Sequence, residues 1–320
     1  MDAIDLLRLG VLSPMTLCFA LGALATLLRS DLKFPEPVYT ALSIYLLLAI
    51  GLKGGAALAV APLGSVALPA LAGIALGVLI PFWVYAALRR LGGFGSTDAA
   101  ALAAHYGSVS AVTFIAALAY VQSLGMPAEG FMPAVLALME VPAIVIALLL
   151  ARDGRAGDGL GRALHEVLAG RSILLLAGGL AIGFAAGPQG YKTVSPFFAD
   201  PFQGALCLFL LDLGMVAAQR FKDVRRVGSF LVAFAFAAPL LNGAAGVAAG
   251  WAAGLSPGGS AVLGTLAASA SYIAAPAAVR LALPAANPGY YLTASLALTF
   301  PFNLVVGLPV YAWLARLLHG

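Results

Sequence analysis

The sequence predicts an all-α integral membrane protein of ten transmembrane helices, arranged as two inverted five-helix repeats whose fourth and ninth helices are broken near the membrane midplane. Three observations predict this. Of 320 residues, 62% are apolar and only 9% charged, with a mean hydropathy of +1.02, which is not the composition of a soluble globular domain. Ten apolar stretches come close to the roughly 20 residues that a spanning helix needs. Two of them carry matching polar interruptions, 161 residues apart from Ser108 to Ser269 and from Ser110 to Ser271.

In chain order the predicted spans are 13–30, 37–55, 66–88, 97–123, 130–151, 171–188, 199–219, 227–254, 258–282 and 288–317. Several are long enough to tilt or bend. Pro81, Pro142, Pro239, Pro276 and Pro301 fall inside them as expected kinks. The start carries Asp2 and Asp5 rather than a basic region, so no cleavable leader is expected. Cys18 and Cys207 sit inside apolar spans, which argues against a disulfide framework.

Lys and Arg set the orientation. With the N-terminus outside, the inner side holds Arg29 and Lys33, Arg89 and Arg90, Arg152, Arg155, Arg162 and Arg171, Arg220, Lys222, Arg225 and Arg226, and Arg280: 13 of the 17 basic residues. Only Arg8, Lys53, Lys192 and Arg316 remain outside. The positive-inside rule therefore predicts a multi-pass protein with both termini outside. It also accounts for the formal charge of +4 without an acidic or nucleic-acid partner.

The two halves correspond at a nearly constant offset. Gly51 matches Gly214 at 163 residues, Pro81 matches Pro239 at 158, and Pro142 matches Pro301 at 159. Each half has a short amphipathic lead-in, Asp5 to Val11 and Arg162 to Ala169. Because five is odd, the second repeat enters the membrane from the opposite face, which makes the repeat inverted. The expected units are 1–151 for the first repeat, 152–170 for an inner linker with a surface helix, and 171–320 for the second repeat.

A polar break in mid-membrane leaves backbone groups that lipid cannot satisfy. In the fourth span the break is at Gly107, Ser108, Val109 and Ser110; in the ninth it is at Ser269, Ala270, Ser271 and Tyr272. After each break a half-helix begins with free N–H groups and partial positive charge. Two such ends meeting at one point make an anion site without Lys or Arg, with the four serines as caps and hydroxyl donors. Pro276 suits a fresh helix start, where a missing N–H costs little. The half-helices that end at the breaks offer carbonyl oxygens to a hard cation such as Na⁺.

Ionisable and polar groups within spans are functional candidates. Glu140 in the fifth span, with Thr299 and Asn303 around Pro301 in the tenth, could complete an oxygen shell for that cation. Asp98 behind Thr97 suits either a cation or the start of the fourth helix. Asp212 is expected to pair with a neighbouring helix, and His105 either relays protons or packs. The sequence contains no hydrolase metal spacing, nucleophile elbow or phosphate loop, so it does not read as an enzyme, and no cofactor is expected.

The segments Tyr45 to Gly55, His105 to Phe114, Ser269 to Arg280 and Thr299 to Asn303 resemble the sodium-dependent bicarbonate transporters first associated with cyanobacterial carbon concentration. The resemblance covers essentially the whole chain. It implies a sodium–bicarbonate symporter in a bacterial plasma (inner) membrane, with a moving core that holds both broken helices and a more static gate. It also implies a homotrimer and a PII-like trimeric regulator on the cytoplasmic face, although the linker is short for such a family. Carried over by motif, bicarbonate would sit at Gly107–Ser110 and Ser269–Tyr272, and sodium would draw on the breaks with Glu140 and Asn303. Two other readings stay open: a proton-coupled or exchange transporter of another small anion or carboxylate, in which His105 and Glu140 titrate, and a non-transporting membrane docking or sensor protein that uses its basic inner loops.

Overall fold

A computed structural model describes Arg8, 11–151 and 158–320, and no strand occurs among these residues. The helices, in order, are α1 (Pro14–Leu27), α2 (Glu36–Leu58), α3 (Leu63–Arg90), α4 (Ser96–Gly107), α5 (Ala111–Ser123), α6 (Met132–Ala151) and α7 (Asp158–Leu168). There follow α8 (Arg171–Phe198), α9 (Phe202–Arg220), α10 (Ser229–Ala252), α11 (Pro257–Ala268), α12 (Ala274–Ala282) and α13 (Pro288–His319). A 3₁₀ turn, Phe221–Arg226, extends α9 and displays most of the basic residues of that loop.

Among the described residues, eight helical runs are long and apolar enough to cross a membrane. The sequence prediction of ten spans differs from this at two places. The first is α1, which has only 14 residues and is therefore about 21 Å long; it ends just before Arg29, which adopts a left-handed φ of 57°. The second is the ninth predicted span, which divides into α11 and α12, of 12 and 9 residues. The sixth predicted span runs ten residues past its expected end at 188, to Phe198, because the chain bends rather than stops at Gly187 (φ 63°, ψ −176°) before Pro188. A left-handed φ there suits glycine, which has no Cβ to clash. The linker helix expected near Arg162 to Ala169 is α7; 152–157 and most of the Asp5 to Val11 lead-in lie outside the described residues.

Backbone-to-backbone packing through glycine joins the helices in crossed pairs, α1 on α9 and α2 on α8. A Cβ at Gly22 would land on the Leu211 carbonyl, and one at Gly214 on the Phe19 carbonyl. In the other pair, a Cβ at Gly51 would meet the Leu176 and Gly179 backbone, and one at Gly183 the Leu52 carbonyl. Small residues permit such approach where no hydrophobic force drives helices together in lipid. Cys18 on α1 and Cys207 on α9 are both free thiols. Asp212, expected to pair with a neighbouring helix, has no ion pair or hydrogen bond to its carboxyl among the described residues.

Six of the remaining helices form two trios, α3–α4–α6 and α10–α11–α13. The Trp83 indole N–H joins them by donating to Asn242 Oδ1 at 2.9 Å. The broken helices are the most enclosed part of the described structure: 99–117 and 258–271 are buried without interruption. A polar interruption at that depth must be satisfied by protein or by a bound solute.

Candidate functional site

The break after α4 spans Ser108 to Ser110, and that after α11 spans Ser269 to Ile273. Each is made by residues that compete with helical hydrogen bonding through their own side chains. Gly107 closes α4 where a Cβ would strike the Pro81 ring and the Ala143 methyl, so α3 and α6 crowd the first break. Ser108 leaves the helix with ψ 160°, and Ser269 does the same at the end of α11.

The two breaks are bonded to each other. The Ser110 N–H donates to Ser269 Oγ at 2.9 Å, and the Ser271 N–H donates to the His105 carbonyl at 2.8 Å. Ser269 Oγ in turn donates to the Leu266 carbonyl at 2.8 Å. Two of the four serines are caps as expected: Ser110 Oγ accepts from Thr113 N–H and Ser271 Oγ from Ala275 N–H, each at 3.2 Å. Ser108 is not a cap. Its hydroxyl donates to the Glu140 carbonyl at 3.1 Å, tying the first break to α6. Val109 and Ala270 are buried spacers between the polar positions.

The donors left over define what the site can hold. A helix start has four N–H groups without intrahelical partners. In α5 the cross-break bond and the cap use Ser110 and Thr113, leaving Ala111 and Val112; in α12 the cap uses Ala275 and Pro276 has no N–H, leaving Ile273 and Ala274. Two pairs of free donors, each at a positive helix end, suit a small anion. Tyr272 adds a buried hydroxyl beside Ser110, without a well-aligned hydrogen bond, and its ring meets Phe300 edge-on at 5.3 Å.

Three of the four predicted cation ligands are bonded to a break or to a half-helix end beside one, Glu140 through its main chain alone. Glu140 follows its carbonyl to Ser108, and its own carboxyl forms no hydrogen bond among the described residues. Thr299 Oγ1 receives the Tyr106 hydroxyl at 2.8 Å and donates to the Ala235 carbonyl at 2.8 Å. Asn303 Nδ2 donates to the terminal Ala268 carbonyl of α11 at 2.8 Å, while its Oδ1 lies 3.0 Å from the Tyr311 hydroxyl. Both lie in α13, where the chain widens into π-helical turns at Thr293–Thr299 and Asn303–Gly307, a distortion common at functional sites. Asp98 is not brought to the breaks. It lies nine residues before Gly107, about 14 Å along α4, and its Oδ1 accepts the Asn287 N–H at 2.8 Å instead. Tyr106 and Tyr311, which sequence reading missed, link α13 to α4 and α10; nothing in their spacing separates them from packing aromatics.

A cavity of about 280 Å³ adjoins this region. It lies between α2, α7, α8 and α12, and is lined by Tyr39, Glu166, Arg171, Ile273 and Ala274 among others. Its lining thus includes the two residues at the start of α12 whose N–H groups are free. Two cavities of about 190 and 170 Å³ lie further along α2, sharing Ile50, Lys53, Leu118 and Gln122, and no break residue lines either.

No curated protein matched the sequence. The sequence pattern of the Na⁺-dependent bicarbonate transporter superfamily matched residues 14–316. Since that match runs from α1 into α13 and takes in both breaks, the chain belongs to the Na⁺-dependent bicarbonate transporter superfamily.

Proposed function

We propose that this protein is a sodium-coupled bicarbonate symporter that imports bicarbonate by alternating access, with a core built on the broken helices moving against a gate of α1, α2, α8 and α9. The observation that carries this reading is the pair of buried, cross-bonded breaks, each of which leaves two N–H donors free beside carbonyl oxygens. Bicarbonate would occupy Gly107–Ser110 and Ser269–Tyr272, held by the N–H groups of Ala111, Val112, Ile273 and Ala274. Sodium would take oxygens from the same breaks with Glu140, Thr299 and Asn303. An adjacent cation offsets the anion's charge, and each ion thereby favours the other.

The matched glycine contacts of α1–α9 and α2–α8, and the two trios, support a ten-span reading with 1–151 and 171–320 as inverted repeats about a 152–170 linker. In that reading α12 contributes to the ninth span, both termini are outside, and the cavity beside α7 opens to the cytoplasm, so this conformation faces inward. A homotrimer, a PII-like regulator and a plasma-membrane location rest on the family resemblance alone.

Purified protein in liposomes is expected to take up labelled bicarbonate several-fold faster under an inward Na⁺ gradient than under an equal K⁺ gradient. Uptake indifferent to Na⁺ removes the coupling. A proton-coupled reading has its own observation, since His105 stacks on Tyr291 at 4.4 Å and keeps a buried Nε2 without a hydrogen bond. Uptake that follows a pH gradient in the absence of Na⁺ would favour it.

A further inference from the structure

Lys53 is one of the charges in the spanning region that the breaks do not explain. It lies on α2 five residues before the helix ends at Leu58, is exposed, and forms no ion pair among the described residues. An ammonium at that depth is costly in lipid and is kept where water reaches it. Water does so here, because Lys53 lines both of the smaller cavities, at the seam between α2, α8 and α9 on one side and α5 and α6 on the other. Gln122 lines both as well, with Tyr191 and Gln203 completing the polar wall of the larger. The acid that lines the smaller cavity, Glu129, is turned away: its Oε1 accepts the Ser256 N–H at 2.6 Å at the start of α11.

The geometry leads from this pocket to the breaks. Ala111, Leu118 and Gln122 are spaced to share one face of α5, so the wall that carries Gln122 runs back to the free Ala111 N–H. One turn below Lys53 and Gln122 on that route are Ile50 and Leu118, which also line both cavities. A polar pair thus stands over an apolar pair that lines the same two cavities.

We propose that Lys53 forms a second, weak anion subsite at the closed mouth of the transport path. It takes a small monovalent oxyanion such as bicarbonate, with Gln122 as hydrogen-bond donor, before the Ile50–Leu118 pair parts. A cation without an ion pair in a cleft raises the local anion concentration and the rate of capture, here against the opposing field of Glu129 in the smaller cavity and of Asp200 near Tyr191 in the larger. This proposal rests on the transporter reading, and its test separates the two.

The test measures initial Na⁺-driven bicarbonate uptake against bicarbonate concentration in vesicles of each orientation, for wild type, Lys53→Arg, Lys53→Gln and Lys53→Glu. Entering from the Lys53 side, Lys53→Gln should raise KM about five-fold and Lys53→Glu further, with kcat within about two-fold and Lys53→Arg close to wild type. Entering from the α7 side, all four should share one KM. Equal KM values from both sides, or the same rise from both, overturn the subsite. If the wild type shows no Na⁺-driven uptake, the transporter reading fails instead. The subsite then stands or falls on whether bicarbonate slows modification of Lys53 by a water-soluble amine reagent.

Discussion

Ser271→Leu is expected to lower Na⁺-driven bicarbonate uptake at least 100-fold, the equivalent of about 2.7 kcal/mol in the transport barrier, while the protein still inserts and purifies as a folded species. Ser271 is 2% exposed, and its two polar groups act on both breaks: the N–H donates to the His105 carbonyl and the hydroxyl caps Ala275 N–H. Leucine removes the cap, worth about 1 kcal/mol. It also forces a branched side chain into a closed site, which typically costs about 1–3 kcal/mol. The added volume falls beside the free N–H groups of Ile273 and Ala274. Ser271→Ala removes the cap alone, so its uptake should fall only about five-fold, in line with that single hydrogen bond. Uptake kinetics with a thermal-unfolding control separate these outcomes. Wild-type rates in Ser271→Leu would place the anion path elsewhere.

Gly214→Val is expected to produce a large stability loss, about 3 kcal/mol at the upper end of overpacking costs, read as a lower thermal-unfolding midpoint in detergent. A Cβ at this position lands on the Phe19 carbonyl, and backbone cannot swing aside as a long side chain can. Gly214→Ala should therefore also destabilise. Gly204→Ala on the same helix meets open space and should be neutral or stabilising, since alanine is the better helix former. Gly51→Val should match Gly214→Val in size, because Gly51 faces the α8 backbone as Gly214 faces that of α1. A clearly unequal pair would count against a shared packing rule in the two halves.

Much of this architecture was legible in the chain. Apolar runs give helix positions because lipid leaves the backbone no other partner, and eight of the predicted spans correspond to membrane-length helical runs. The two interruptions were legible for the same reason, since serines and a glycine inside such a run signal a helix that stops. What the sequence could not supply was pairing across the breaks. The bond from Ser271 to His105 depends on how two helices cross, and no spacing encodes that. Ser108 shows the limit well: its type and position suit a cap, yet its hydroxyl turns to the Glu140 carbonyl because α6 lies within reach. Asp98 fits a cation site by chemistry alone, but the rise along α4 carries it to the far end of the helix. The short α1 and the bend at Gly187 were missed because hydropathy reports burial in lipid and is blind to backbone dihedral angles.

Equilibrium binding to the purified protein tests the shared site most directly. Labelled bicarbonate binding is measured at rising Na⁺, and labelled Na⁺ binding at rising bicarbonate. If the two ions sit together at the crossed breaks, Na⁺ should tighten bicarbonate binding at least about five-fold, and bicarbonate must tighten Na⁺ binding by the same factor. Ser271→Leu should erase both effects. Affinities for each ion that do not depend on the other would contradict a common site for cation and anion.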